Sequence, residues 1–402
     1  MLQKLAENFP AVVVSGARQV GKSTLVKHVF GQEADYVLFD SIMSAENARR
    51  EPDLFLNSHP NYPLILDEIQ YAPELVSAIK RRIDREKKPR MYILTGSQQW
   101  AVMKNISDSL AGRVVFVDLD GFCLHETLSN RQPSWIERFL NNSQEFISSE
   151  KTRLDLNHTL NETIWRGFLP EATMLPLEVI KKFHDAYMLT YIERDARLFA
   201  DISDWHLFGR FVRLVAALSA QEINYSQIGR ELGLSPQTAR SWLMILKATF
   251  QWFEIYPYSR NTIKRLSKKS KGYFADTGII CSAHEIMSPN SLSVNPLWGA
   301  IFETAVANEI RKHLSMMGMR YGMYHWRTLR GAEADVLIER NGIFYPVEIK
   351  AASNPTRNDT SGITAFRKTY PELRIAPGLV ICPCERFYRI SENDYALPWD
   401  TA

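Results

Sequence analysis

"GARQVGKSTL", residues 16–25, follows the apolar run Ala11-Val12-Val13-Val14 almost directly. Gly16 to Ser23 fits G-x-x-x-x-G-K-[ST], and the stretch "STLVKHVF" after it has the pattern of an amphipathic helix. Strand, glycine-rich loop and helix in that order form a phosphate cradle. The backbone N–H groups of Gly16, Ala17, Arg18, Gln19, Val20 and Gly21 curl round a phosphate chain, and the helix N-terminus adds positive dipole. Lys22 reaches the β- and γ-phosphates, the Ser23 hydroxyl ligates Mg²⁺, and Thr24 completes the bound stretch. The bland alternative is a tight strand–helix turn, which does not by itself require a lysine followed by a hydroxyl.

Working outward, residues 1–128 alternate strands with helical stretches. The strand candidates are "AVVVSG", "YVLFD", "PLILDE", "MYILTGS" and "VVFVDL". Such alternation predicts a parallel sheet covered on both faces, with ligands beyond the strand carboxyl ends. "LILDE" ends the third strand on Asp67 and Glu68. Asp67 is the Mg²⁺-side carboxylate, and Glu68 is placed to polarise the attacking water. A solvated acidic strand end is the competing reading. Thr95, Ser97 and Gln98 close the fourth strand, and Ser97 is counted with the nucleotide-binding set. Which of the three senses the γ-phosphate stays open. Arg113, after "AVMKNISDSLAG", is either an arginine finger for a neighbouring subunit or a surface arginine at a helix C-terminus.

The blocks "GARQVGKSTL", "LILDEIQYAPEL", "ILTGSQ" and "SLAGRV" together resemble the AAA-type ATPases that carry a C-terminal domain of unknown function. "WRGFLPEA", "YIERDAR", "NYSQIGRELGLSPQTARSWL", "FADTGI", "GAIFETAVANEI" and "AEADVLI…VEIK" continue the resemblance over nearly the whole chain. It implies a five-stranded core in which the sensor strand separates the phosphate-loop strand from the Asp-Glu strand. Members usually carry a further helix, often with an arginine, before the first strand; here "MLQKLAENF" precedes it.

Composition bounds the rest. A chain of 402 residues with 45% hydrophobic content can bury two or three cores. A net charge of +3 does not announce a nucleic-acid partner, so any basic surface must be local. Four cysteines are few for this length and read as reduced thiols, which with no apolar membrane-length run predicts a cytoplasmic protein without a membrane partner. Cys382 and Cys384 read as apolar strand-end residues rather than half a metal site.

Residues 129–205 have no strand patterning and read as a helical connector or lid; Glu193, Arg194 and Asp195 there are a latch or a solvated face. Within 206–285, "NYSQIGRELGLSPQTARSWLMIL" has the pattern of a helix-turn-helix, with Gly233 at the turn and Ser235 capping the second helix before Pro236. The strands after it would supply a wing. The second helix offers Gln237, Arg240 and Lys247 to a groove. "IKRLSKKSKG" carries Lys264, Arg265, Lys268, Lys269 and Lys271, a phosphate-neutralising run if it lies on one face and a solvated loop if it does not.

From residue 286 a further unit is expected. "PLWGAIFETAVANEIRKHL" is a helix bearing Glu303 and Glu309, followed by three strands. Asp335 enters an apolar strand, and Glu348 and Lys350 alternate along the next, the layout of the PD-(D/E)XK nucleases. Asp335 and Glu348, with Glu303, would hold Mg²⁺ or Mn²⁺ while Lys350 orients water against a scissile phosphate. A surface salt-bridge ladder is the alternative. The expected fold class is therefore α/β: an AAA-type P-loop core, a helical and winged-helix region, and a nuclease-like domain. ATP and Mg²⁺ are the expected cofactors. DNA or another nucleic acid is a candidate partner, and an Arg113 acting in trans would require a homo-oligomer.

Overall fold

The computed structural model describes all residues except 40–41, 98–109, 131, 193–201, 203, 262–264, 266–267, 319–321 and 329–330. One compact unit comprises Met1–Gly121, Thr190–Asp201 and Met244–Gln251, and a second Phe122–Leu189, Ile202–Leu243 and Trp252–Ala402.

In the first unit, β1 (Ala11–Ser15), β2 (Asp35–Leu38), β3 (Leu64–Asp67), β4 (Tyr92–Gly96) and β5 (Val114–Asp118) form a sheet in the order β2-β3-β4-β1-β5. Every pairing is parallel. All five predicted strands are present, and β4 lies between β3 and the phosphate-loop strand as expected. Side chains alternate faces along each strand. Val13, Leu64, Leu66 and Leu94 therefore join a core with Leu75, Ile79 and Ile83 of helix α2 (Leu75–Glu86). Val12, Val14, Ile65 and Ile93 pack on the other face with Val26 and Phe30 of helix α1 (Lys22–Phe30). Burial on both faces explains why these strands read as continuous apolar runs.

The second unit begins with a short helix, α3 (Leu124–Thr127), and further helices follow through Tyr187. Helix α4 (Trp205–Ala217) leads to the helix-turn-helix pair α5 (Tyr225–Leu232) and α6 (Pro236–Ala248). The turn follows the sequence reading: Gly233 has φ +69° and the Ser235 hydroxyl accepts from the Thr238 N–H at 3.0 Å. Trp242 of α6 packs edge-on against Phe208 and Phe211 of α4.

Among the described residues, ten strands then form one mixed sheet. Its members are β6 (Gln221–Glu222), β7 (Trp252–Pro257), β8 (Lys271–Phe274), β9 (Gly322–Arg327), β10 (Glu333–Arg340), β11 (Ile343–Ile349), β12 (Arg374–Ile375), β13 (Gly378–Cys382), β14 (Tyr388–Arg389) and β15 (Asp394–Pro398). The hairpin β7–β8 is antiparallel, but β7 also pairs in parallel with β9 through Tyr256↔Tyr324 and Pro257↔His325. The expected boundary between 285 and 286 is thus no break in the sheet. Helix α7 (Trp298–Met316) lies between the two strand sets in sequence, and α8 (Ser361–Thr369) places Phe366 against Leu337 and Phe344. Among the described residues, no helix is long and apolar enough to cross a membrane.

Candidate functional site

At the carboxyl end of β1 the loop closes tightly on itself. Gly16 has φ +153°, and a Cβ there would stand 2.1 Å from the Leu119 carbonyl oxygen, so only glycine fits. Gly21 adopts a left-handed backbone immediately before α1. Lys22 is buried, and its Nζ donates to the Gly16 and Ala17 carbonyls at 2.9 and 2.8 Å. Arg18 donates to the Tyr71 hydroxyl at 3.2 Å.

Asp67, fully buried at the end of β3, has both carboxylate oxygens engaged. The Tyr36 hydroxyl donates to Oδ2 and the Thr95 hydroxyl to Oδ1. Thr95 Oγ1 also accepts from the Glu68 N–H at 3.1 Å, so one side chain ties the ends of β3 and β4 together. Burial, then Asp67, pushes the Tyr36 hydroxyl far above its ordinary range, and Ser23 bonds the same hydroxyl. Glu68 sits at φ 61°, ψ 45°, strained for a residue with a Cβ. Its carboxylate accepts from Gln70 Nε2, which also donates to Ser97 Oγ at 3.3 Å. Lys22, Asp67, Glu68, Thr95 and Ser97 are thereby brought to one end of the sheet. Gln98 lies outside the described residues.

Arg113 is not brought there. It precedes β5, and the pairing Ala11↔Val114 sets it at the amino ends of the strands, opposite the phosphate loop. Its Nε pairs with Asp84 of α2 at 2.5 Å and Nη1 donates to the Ala111 carbonyl. It therefore takes no part in the phosphate site of its own chain.

In the second unit, Asp335 of β10 and Glu348 of β11 are both 6% exposed and converge with Lys350. Lys350 Nζ lies 2.7 Å from Glu348 Oε1 and 3.9 Å from Asp335 Oδ2, and the Ile349 N–H donates to Asp335 Oδ2 at 3.0 Å. Glu303 joins them from α7. The sequence reading missed what else is present. Lys271, expected in an exposed basic run, is buried, with Nζ 2.7 Å from Glu303, 3.0 Å from Glu333 and 3.1 Å from Asp335. Tyr273, two residues along β8 and so on the same face, donates to Glu303 at 2.8 Å. The two-residue alternation in "KGYF" was the available signal. The rest of the run divides: Arg265 stacks over Tyr324 and Tyr258, Lys268 and Lys269 are exposed, and Lys264 lies outside the described residues. Among the described residues, the run does not form one phosphate-facing surface.

This cluster is electrostatically unbalanced. Burial, then Asp335, raises Glu303 to about 7, and the same two causes raise Glu348 to about 8. Burial opposes the charge on Asp335, but Lys271 and then Lys350 hold its carboxyl below the ordinary value. Glu348 Oε2 is buried and accepts no hydrogen bond. These groups line a cleft of about 620 Å³ shared with Asn224 and Gln227 at the start of α5. Strands β6 and β8 and the start of α5 thus help to build this cleft. On α6, Gln237 and Arg240 are exposed and Lys247 is half-buried. Glu193, Arg194 and Asp195 lie outside the described residues.

The five-stranded order, the loop geometry and the buried strand-end aspartate define a P-loop NTPase core, a nucleotide-binding class of fold. Residues 8–128 match the family model of an AAA domain, and residues 157–290 and 298–402 match two domains of unknown function, DUF8612 and DUF4143. Two uncharacterized proteins, Rv2008c of Mycobacterium tuberculosis and Mb2031c of Mycobacterium bovis, are each 26% identical over 99% of this chain and 82% of their own length. Among solved structures, the Thermotoga maritima RuvB Holliday junction branch migration motor aligns over 64% of this chain and 87% of its own, at 13% identity and TM-score 0.28. Protein VC1899 from Vibrio cholerae aligns over 92% and 88%, at 10% identity and TM-score 0.19.

Proposed function

We propose that the chain hydrolyses ATP and uses its nucleotide state to control a nuclease-like, nucleic-acid-binding site in its second unit. The observation that carries the reading is the meeting of Lys22, Ser23, Asp67 and Glu68 beyond the carboxyl ends of β1 and β3. The residues fit Mg²⁺–ATP. Ser23 offers a hydroxyl, and Asp67, held by two hydroxyl donors, is oriented to accept from metal-bound water. Lys22 would exchange its two carbonyl acceptors for phosphate oxygens, and Glu68 would accept the proton of the attacking water. Lys22→Ala should abolish binding of a fluorescent ATP analogue. Glu68→Gln should keep binding while turnover falls by about 10²–10⁴-fold, the usual cost of a lost general base. Turnover that falls only in step with binding assigns Glu68 another role. Arg113 acts in this scheme only on a neighbouring subunit's nucleotide, and only after releasing Asp84.

The second site is supported by the unpartnered Glu348 Oε2, where a divalent cation shared with Asp335 would supply the missing positive charge, leaving Lys350 to orient water. Mn²⁺-dependent nicking of plasmid DNA, lost in Lys350→Ala, tests it. A second reading has a specific observation in its favour. Lys271 Nζ already stands within 3.1 Å of Glu303, Glu333 and Asp335, where a metal ion would have to compete with it, which suits a switch or scaffold whose nuclease-like domain binds without cutting. Full-length protein that binds DNA but leaves it intact with Mn²⁺ or Mg²⁺ supports that reading.

A further inference from the structure

A second cluster of ligand-type side chains lies in the same unit, apart from the carboxylate cleft. Cys123 caps α3, and Leu124 at its start donates its N–H to both carboxylate oxygens of Glu309 at 3.0 and 3.2 Å. Glu309 and His313 are four residues apart on α7, which puts them on one face, and His313 Nε2 lies 3.0 Å from Glu309 Oε1. One ligand atom each from Cys123, Glu309 and His313 falls within 4.8 Å of the others, and all three residues are buried. His125 sits edge-on to His313 with ring centroids 5.3 Å apart. It is 4% exposed, and neither ring nitrogen has a hydrogen-bond partner. A buried imidazole with both nitrogens unpaired is costly, and native interiors rarely keep one without a use. Cys123, His125 and His313 also border a cavity of about 560 Å³ that gives an ion a way in.

We propose that Cys123, His125, Glu309 and His313 bind a zinc-class divalent cation that staples α3 to α7. One thiolate, one carboxylate and two neutral imidazoles balance a +2 ion, and this mixture of soft and borderline donors suits Zn²⁺ in tetrahedral geometry. Binding forms a metal–sulfur bond and releases the Cys123 thiol proton to solvent. The spacing Cys-x-His with Glu-x-x-x-His is visible in the sequence, but His125 and Glu309 are 184 residues apart, and only the fold joins the two pairs.

Co²⁺ added to metal-stripped full-length protein tests the site through its absorption. One equivalent should produce d–d bands together with a near-ultraviolet thiolate-to-cobalt charge-transfer band. Cys123→Ser retains a capping oxygen, so it should stay folded, lose the charge-transfer band and keep weaker d–d bands. His125→Ala should weaken Co²⁺ binding by about 10-fold or more. Lys22→Ala and Asp335→Ala should leave the spectrum unchanged, which separates this ion from those of the two sites above. A folded full-length chain with no charge-transfer band, or one whose band survives in Cys123→Ser, overturns the proposal.

Discussion

Two buried lysines illustrate how far one residue's role depends on its neighbours. Lys22 donates to loop carbonyls, bonds that phosphate oxygens can replace, whereas Lys271 stands among three carboxylates. The effect of Lys271 reaches His325 on β9. Burial first, and Lys271 second, lower that imidazole from 6.5 to about 4, while its Nε2 keeps a 3.2 Å contact with the Lys269 carbonyl. The folded chain therefore holds His325 neutral where the unfolded chain would protonate it. Its contribution to stability is complete above the ordinary value and is lost as pH falls through about 4. Thermal unfolding should accordingly show a lower melting temperature on acidification through that window, and His325→Gln should flatten this part of the profile. An unchanged profile in the variant assigns the acid sensitivity to other groups.

At the scale of elements, legibility followed periodicity. The five strands of the first sheet, the helix-turn-helix and the three strands carrying Asp335 and Glu348 were all readable, because each announces itself within a dozen residues. Partners from distant strands were not. Tyr36 meets Asp67 only because β2 lies beside β3, and nothing in "YVLFD" distinguishes that tyrosine from a core aromatic. Lys271 was hidden by a charge run of which it is the one described member inside β8. Arg113 had the expected sequence context, but strand direction puts it at the far end of the sheet. The β8 element yields its own prediction. Lys271→Met leaves Glu303, Glu333 and Asp335 facing one another without their shared cation, a loss of about 3–5 kcal/mol for a broken buried ion pair. Mn²⁺ should raise the variant's melting temperature more than that of the unaltered chain. Equal shifts would mean that the carboxylates do not accept a metal in the place of the ammonium.

At the scale of the molecule, the β7–β9 pairing determines what can be cut away. The second unit has one sheet, and the strands that carry Asp335 and Glu348 continue it beyond Tyr324 and His325. A fragment starting near residue 290 keeps every carboxylate from Glu303 onward but loses β7, β8 and Lys271. The N–H and C=O groups of β9 that faced β7 would then lie open along an edge, a template for any passing strand. Size-exclusion chromatography should find such a fragment self-associated, while one beginning at Phe122 elutes as a discrete species; a monodisperse short fragment would contradict this. Any dimer formed by the short fragment would report a strand borrowed between copies, and so would reveal nothing about how the full-length protein assembles.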